Sequence, residues 1–204
     1  MKQFAYAIPF LIPLSMMPGS ALANDSTYTD LDTDHCTALL PEDTEGGSVS
    51  LRCKGLKDYA VYFKEGDLRQ SILYGPVSDA YVNDVFESFA PFNNATRKIE
   101  WRLGTDGKPV ATILRWFLEN IDPVTSEPSP KLKGQVLVVS KVADDTGKGC
   151  VVGYVDALAN PEPNALARKV ADTSAKNFVC GQDQAAYHGI RGPTAAEPTH
   201  VFPD

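Results

Sequence analysis

Four cysteines in two pairs constrain this chain more than any other feature: Cys36 with Cys53 near the start, and Cys150 with Cys180 near the end. An even number of cysteines in an oxidising compartment reads as a disulfide framework, and a small domain so stapled needs less core to stay folded. More than one pairing is open on paper. Cys36 with Cys53 and Cys150 with Cys180 is favoured, because each pair brackets one local unit. Zinc is the rival reading, but no two of the cysteines form a CxxC pair, so no metal site is expected.

The compartment follows from the first residues. Lys2 precedes an apolar run from Phe4 to Met17, and Ala21-Leu22-Ala23 ends it with the small residues of a cleavage site. Residues 1–23 therefore read as a signal peptide and the rest as a periplasmic or secreted protein. Pro9, Pro13 and Ser15 interrupt the run, which is short for the roughly 20 apolar residues a membrane span requires. No later apolar stretch is long enough, so no membrane insertion is expected after cleavage.

The formal charge is −7, and cleavage makes it more negative because Lys2 leaves. Such a surface repels phosphate backbones and anionic lipid, which argues against nucleic acid and favours a protein partner, a basic one most naturally.

Residues 24–47 read as a solvated acidic arm. Asp30, Asp32 and Asp34 alternate as at the start of a calcium loop, but the sixth and twelfth positions hold His35 and Pro41 where Gly and Glu are needed. From Ser48 the period is two, and three strands are expected: one through Val49, Leu51 and Cys53, then Tyr59 to Phe63, then Leu68 to Tyr74. Lys64-Glu65-Gly66-Asp67 between the last two reads as a turn, with Gly66 taking positive φ. Glu65 and Asp67 make it a candidate contact loop. Ser78 to Phe89 carries aromatic and valine residues at helical spacing, a short amphipathic helix stopped by Pro91.

Ile99, Trp101 and Leu103 alternate before Asp106-Gly107, and Val110 to Leu118 follows, which is a strong hairpin signal. In the second strand Val110, Thr112, Leu114, Trp116 and Leu118 share one face, and Ala111, Ile113, Arg115 and Phe117 the other. Both faces are largely apolar, as in a strand covered on both sides, so Arg115 needs a partner. Asp156 is the candidate for that ion pair. Asn120 to Lys133, with Pro123, Pro128 and Pro130, reads as a long loop and a candidate contact surface. Gln135 to Val142 and Cys150 to Ala157 form another hairpin. A helix then starts at Asn160-Pro161-Glu162-Pro163-Asn164 and runs to about Val179, with Leu166, Val170, Ser174 and Phe178 along one stripe.

These elements predict one α+β domain over residues 48–181: a mostly antiparallel sheet of about six or seven strands, a short middle helix, and a C-terminal helix packed on the sheet. A β-sandwich or barrel with a peripheral helix is the alternative. Residues 182–204 read as a flexible tail.

The chemistry-bearing motifs are missing. His35, His188 and His200 all lie in the arm or tail, and there is no G-x-S-x-G, H-E-x-x-H or G-x-x-x-x-G-K-[ST]. With every thiol bridged there is no cysteine nucleophile, so no catalytic residue and no cofactor is assigned. Cys53-Lys54-Gly55, Glu65-Gly66-Asp67-Leu68-Arg69, Ile99-Glu100-Trp101-Arg102, Ala111-Thr112-Ile113-Leu114-Arg115 and Cys150-Val151-Val152-Gly153-Tyr154-Val155-Asp156-Ala157 resemble stretches of a family of uncharacterised exported proteins of alphaproteobacteria. The resemblance covers most of residues 28–185 and implies a periplasmic setting without an activity. The expected function is a non-enzymatic binding or inhibitor module for a protein partner. In its most concrete form it is similar to periplasmic lysozyme inhibitors, which are small, β-rich and disulfide-stapled, although the Ser-Gly-x-x-Tyr loop such inhibitors often carry is missing. A cell-envelope hydrolase using carboxylates such as Asp156 and Glu65, or a structural envelope protein, is the alternative.

Overall fold

The computed structural model describes residues 25–40 and 47–203. The expected signal peptide lies outside the described residues. The described residues form three sheets and two α-helices in an α+β arrangement, with no sheet among them closed into a barrel.

The largest sheet has seven strands. Its centre is β9 (Pro109–Glu119), which pairs on one side with β10 (Gly134–Lys141), itself paired to β11 (Cys150–Asp156). On its other side β9 is long enough to pair in succession with β7 (Phe92–Ala95) and β8 (Lys98–Leu103). All these pairings are antiparallel. A second sheet is the meander β3 (Val49–Leu56), β4 (Tyr59–Gly66) and β5 (Arg69–Tyr74), with β2 (Thr37–Ala38) on the outside of β3.

The alternation of β9 creates two cores. Leu114, Trp116 and Leu118 point toward the meander and bury with Val136, Val138, Val61, Phe63, Ile72 and Tyr74. Ala111 and Ile113 point the other way, toward α2 (Pro163–Ser174). Ala167, Val170 and Ala171 of α2, followed by Ala175, pack there on Leu137, Val139, Val152 and Val155. Small alanines let the helix approach the sheet closely, and Gly153 extends that approach, since a Cβ there would sit 2.9 Å from both Val170 and His188. The outer face of the meander is covered by α1 (Asp79–Asp84), through Tyr81 and Val82 on Tyr62 and Leu73. The layers therefore run α2, seven-stranded sheet, meander, α1.

Five local expectations are corrected. The helix expected over Ser78 to Phe89 is capped by the Ser78 hydroxyl, which accepts from Tyr81 N–H at 3.4 Å, but it ends at Asp84. Phe86–Phe89 is instead a strand, β6, paired with β13 (Pro198–Val201). Its aromatic residues suit either state, and a partner more than a hundred residues away decides. The C-terminal helix ends at Ser174, short of Val179, and turns lead on to Cys180. The acidic arm is not free, because Asp25–Asp30 is an edge strand, β1, paired with β8 from Asp25↔Leu103 to Asp30↔Lys98. Backbone pairing holds it, with side-chain anchors at Thr29, which accepts from Trp101 Nε1 at 2.8 Å, and at Ser26, which bonds Glu100 and Arg102. The tail is not loose either: β12 (Ala186–Tyr187) runs parallel to β11, and Tyr187 lies 5.3 Å from Tyr154, ring to ring. Finally, Gly66 does not hold the turn after β4. Gly66 pairs with Arg69, so the loop is Asp67-Leu68, with φ of 48° and 57°. This double left-handed turn matches the twist of a two-residue hairpin.

The disulfides join Cys36 to Cys53 and Cys150 to Cys180. The first ties β3 to the segment before β2, and the second pins the chain beyond α2 to the start of β11. In the loop-closure account, closing 30 residues contributes about 3.5 kcal/mol. The Cys150→Ala/Cys180→Ala double variant should accordingly lose about that much in urea unfolding monitored by tryptophan fluorescence. An unchanged midpoint would show that packing alone holds the end of α2.

Candidate functional site

Arg115 and Asp156 do not meet. The register places Arg115 opposite Leu137 and Leu137 opposite Val155, whereas Asp156 lies opposite Val136 and Val136 opposite Trp116. Cross-strand partners share a face and neighbours alternate, so the two side chains emerge on opposite faces of the sheet. Arg115 Nη1 donates to Gln135 Oε1 at 3.0 Å, on the face of α2. Asp156, 1% exposed, accepts from the backbone N–H of Leu158 and Ala159 through Oδ1 and from Gly192 through Oδ2, at 2.8 to 3.1 Å. Its carboxylate ties the end of β11 to the tail. It is not presented to a substrate.

Glu65 and Asp67 remain near the tip of the β4–β5 hairpin. Glu65 accepts from Gln70 Nε2 at 2.7 Å, and Asp67 pairs with Arg69. Glu65 is bonded to Gln70 and Asp156 to Leu158, Ala159 and Gly192, so the two carboxylates weighed for a hydrolase have separate partners. In the former arm, Asp32 pairs with His35 at 2.8 Å and with Arg97 at 3.2 Å. The hydrogen bond from His35 holds the Asp32 carboxyl below its usual range. No cluster of His, Cys, Asp or Glu suited to a metal ion occurs among the described residues.

The loop from Asn120 to Lys133 is more ordered than its composition suggests. Its base is clamped by Asn120 Nδ2, which donates to the carbonyls of Leu132 and Thr194 at 2.8 Å each. An isolated bridge joins Ile121 to Pro128, and Asp122 N–H donates to Glu127 O at 2.8 Å. At the tip Asp122 Oδ1 accepts from Val124 and Thr125 N–H, while Ser126 N–H returns to Asp122 O at 2.8 Å. These bonds hold Val124 outward, 89% exposed.

Sequence reasoning missed two polar clusters. The first joins α2 to the sheet edge. Arg102 makes a two-pronged bond to Asp172 at 2.9 and 2.7 Å and donates to Ser26. Arg168 does the same to Glu100 at 2.6 and 3.1 Å. Burial raises the Glu100 carboxyl, but the hydrogen bonds from Arg168 and Ser26 and the two guanidinium charges outweigh it and hold the group low. Four charges in alternation make this a structural clamp. Its only sequence signal was the alternation of Glu100 and Arg102 within a strand.

The second is Glu87 on β6, only 6% exposed. Its Oε2 accepts Val151 N–H at 2.8 Å, and burial pushes its carboxyl up to about 8 although that bond works against the shift. It lies directly across from His200 of β13. Beside it opens a cleft of about 180 Å³, lined also by Tyr154, Asp183, Glu197 and Phe202. Glu87 could not be singled out in advance, because its segment read as a helix and its partner strand as a loose tail.

No family model matches this chain, no curated protein is similar to it, and no solved structure resembles it.

Proposed function

We propose that this is an exported, non-enzymatic module that binds a protein partner through the loop 121–128. One observation carries the reading: an apolar side chain, Val124, stands almost fully exposed on a loop whose backbone is already braced by its own hydrogen bonds. Ile121, 50% exposed, puts a second apolar side chain on the same loop, and holding the two in one conformation lowers the entropy cost of docking them into a partner. The net charge of −7 steers a basic partner toward it. Lysozyme is the first partner to test, being a basic protein that acts on the cell wall.

The oxidised protein is titrated into lysozyme acting on bacterial cell walls, beside an unrelated protein of equal charge and beside Val124→Asp. Inhibition should saturate near equimolar. Val124→Asp should raise the inhibitory concentration roughly tenfold or more, as loss of a buried anchor does, with its thermal midpoint unchanged. Absence of inhibition at several-fold excess removes lysozyme as the partner. A Val124→Asp variant that inhibits as well as the parent removes the loop.

A further inference from the structure

We propose that the cleft between β6, β11 and the C-terminal strand β13 is a binding site for a small primary amine, whose ammonium group pairs with the recessed carboxyl of Glu87. Three observations converge on it. Among the described residues Oε2 of Glu87 has a single partner, Val151 N–H, and no lysine or arginine pairs with the carboxyl. The other two carboxyls of the cleft are already engaged, Asp183 by Val179 N–H at 2.7 Å and Glu197 by Arg191 at 2.7 Å. Glu87 differs from both in being buried, 6% exposed, with its carboxyl at the recessed end of the cleft and, among the described residues, no cationic side chain on it. The other walls include the aromatic side chains Tyr154, Phe202 and His200 beside Val151, Ala185 and Pro198, a lining that suits an alkyl stem. About 180 Å³ is below the roughly 300–1,000 Å³ of sites for drug-sized molecules, so the ligand is small.

Binding is an exchange of cations. In the empty site near neutral pH the carboxyl keeps its proton, because burial disfavours the anion. When an ammonium enters, the O–H bond breaks, the proton leaves to solvent, and the carboxylate remains paired with R–NH₃⁺. The charged and titratable groups facing Glu87 are Tyr154 of β11, Tyr81 of α1, His200 of β13, and Asp183 and Glu197 of the tail. Burial holds both tyrosines neutral.

Isothermal titration of the oxidised protein with n-butylamine, and with n-butanol as the neutral isostere, tests the site. Saturable one-to-one binding of the amine is expected, weakening about 100-fold from pH 9 to pH 6. Runs at pH 7 in two buffers of different ionisation heat should show close to one proton released. Glu87→Gln should abolish both. That variant folds if its thermal midpoint at pH 8 is at least the parent's, so lost binding then reports the site. No saturable heat at millimolar amine, equal binding of n-butanol, or undiminished binding by Glu87→Gln would each overturn the proposal.

Discussion

Glu87→Gln is expected to stabilise the fold, by about 3 kcal/mol at pH 7 and roughly 5 kcal/mol at pH 9, and to change it little at pH 4. The carboxyl is pushed up to about 8 in the folded chain, against an ordinary value of 4.5. Below about 4.5 both the folded and unfolded chains carry the proton, and the group contributes nothing to the pH dependence. As pH rises from there, the unfolded chain ionises first, so stability falls until the folded group also ionises near 8; above that the loss is constant. Glutamine keeps the shape, and its carbonyl can accept the Val151 N–H. For a chain of this size the gain at pH 7 corresponds to roughly 10 °C in thermal midpoint. Thermal unfolding of both proteins at pH 4, 7 and 9 checks it. A difference that does not grow with pH would mean that the Glu87 carboxyl is hydrated in the folded state.

The second large effect lies at the clamp of α2. Arg102→Ala should cost about 3 kcal/mol, toward the low end of the range for breaking a buried ion pair, because Asp172 is partly exposed and water can replace some of what is lost. The substitution strips Asp172 of its two-pronged donor and Ser26 of one partner. Arg102→Lys keeps the charge but not the planar fork, and should recover less than half of the loss. Urea unfolding reads both variants; Arg102→Ala, Asp172→Ala and the Arg102→Ala/Asp172→Ala double variant complete a double-mutant cycle, and a coupling below about 0.5 kcal/mol would show the clamp to behave like a surface pair. The same clamp sets an acid limit. Glu100 is held low, so its contribution is present above the ordinary carboxylate value and lost as pH falls through the lowered one.

What the sequence by itself determined was everything written in local periodicity and turn chemistry. The alternation of β9, its hairpin with β8, the hairpin of β10 and β11, the meander of β3 to β5, the start of α2 and the local cysteine pairing all follow from residues near one another in the chain. Each depends on contacts within one hairpin or one helix face, where side-chain period and backbone geometry are coupled.

The Asp67-Leu68 turn apart, which is local, only the tertiary structure decided the rest, because the deciding partner is distant in the chain. Phe86–Phe89 became a strand because β13 lies beside it, and Asp25–Asp30 became one because β8 offered an open edge. Arg115 and Asp156 fell on opposite faces because strand register, which carries no local signature, offset them by one residue. Glu87 acquired its buried carboxyl and its cleft from β11 and the C-terminal segment. Polar side chains reveal no partner through periodicity, so the two polar clusters, unlike the apolar core, came into view only when the chain was folded.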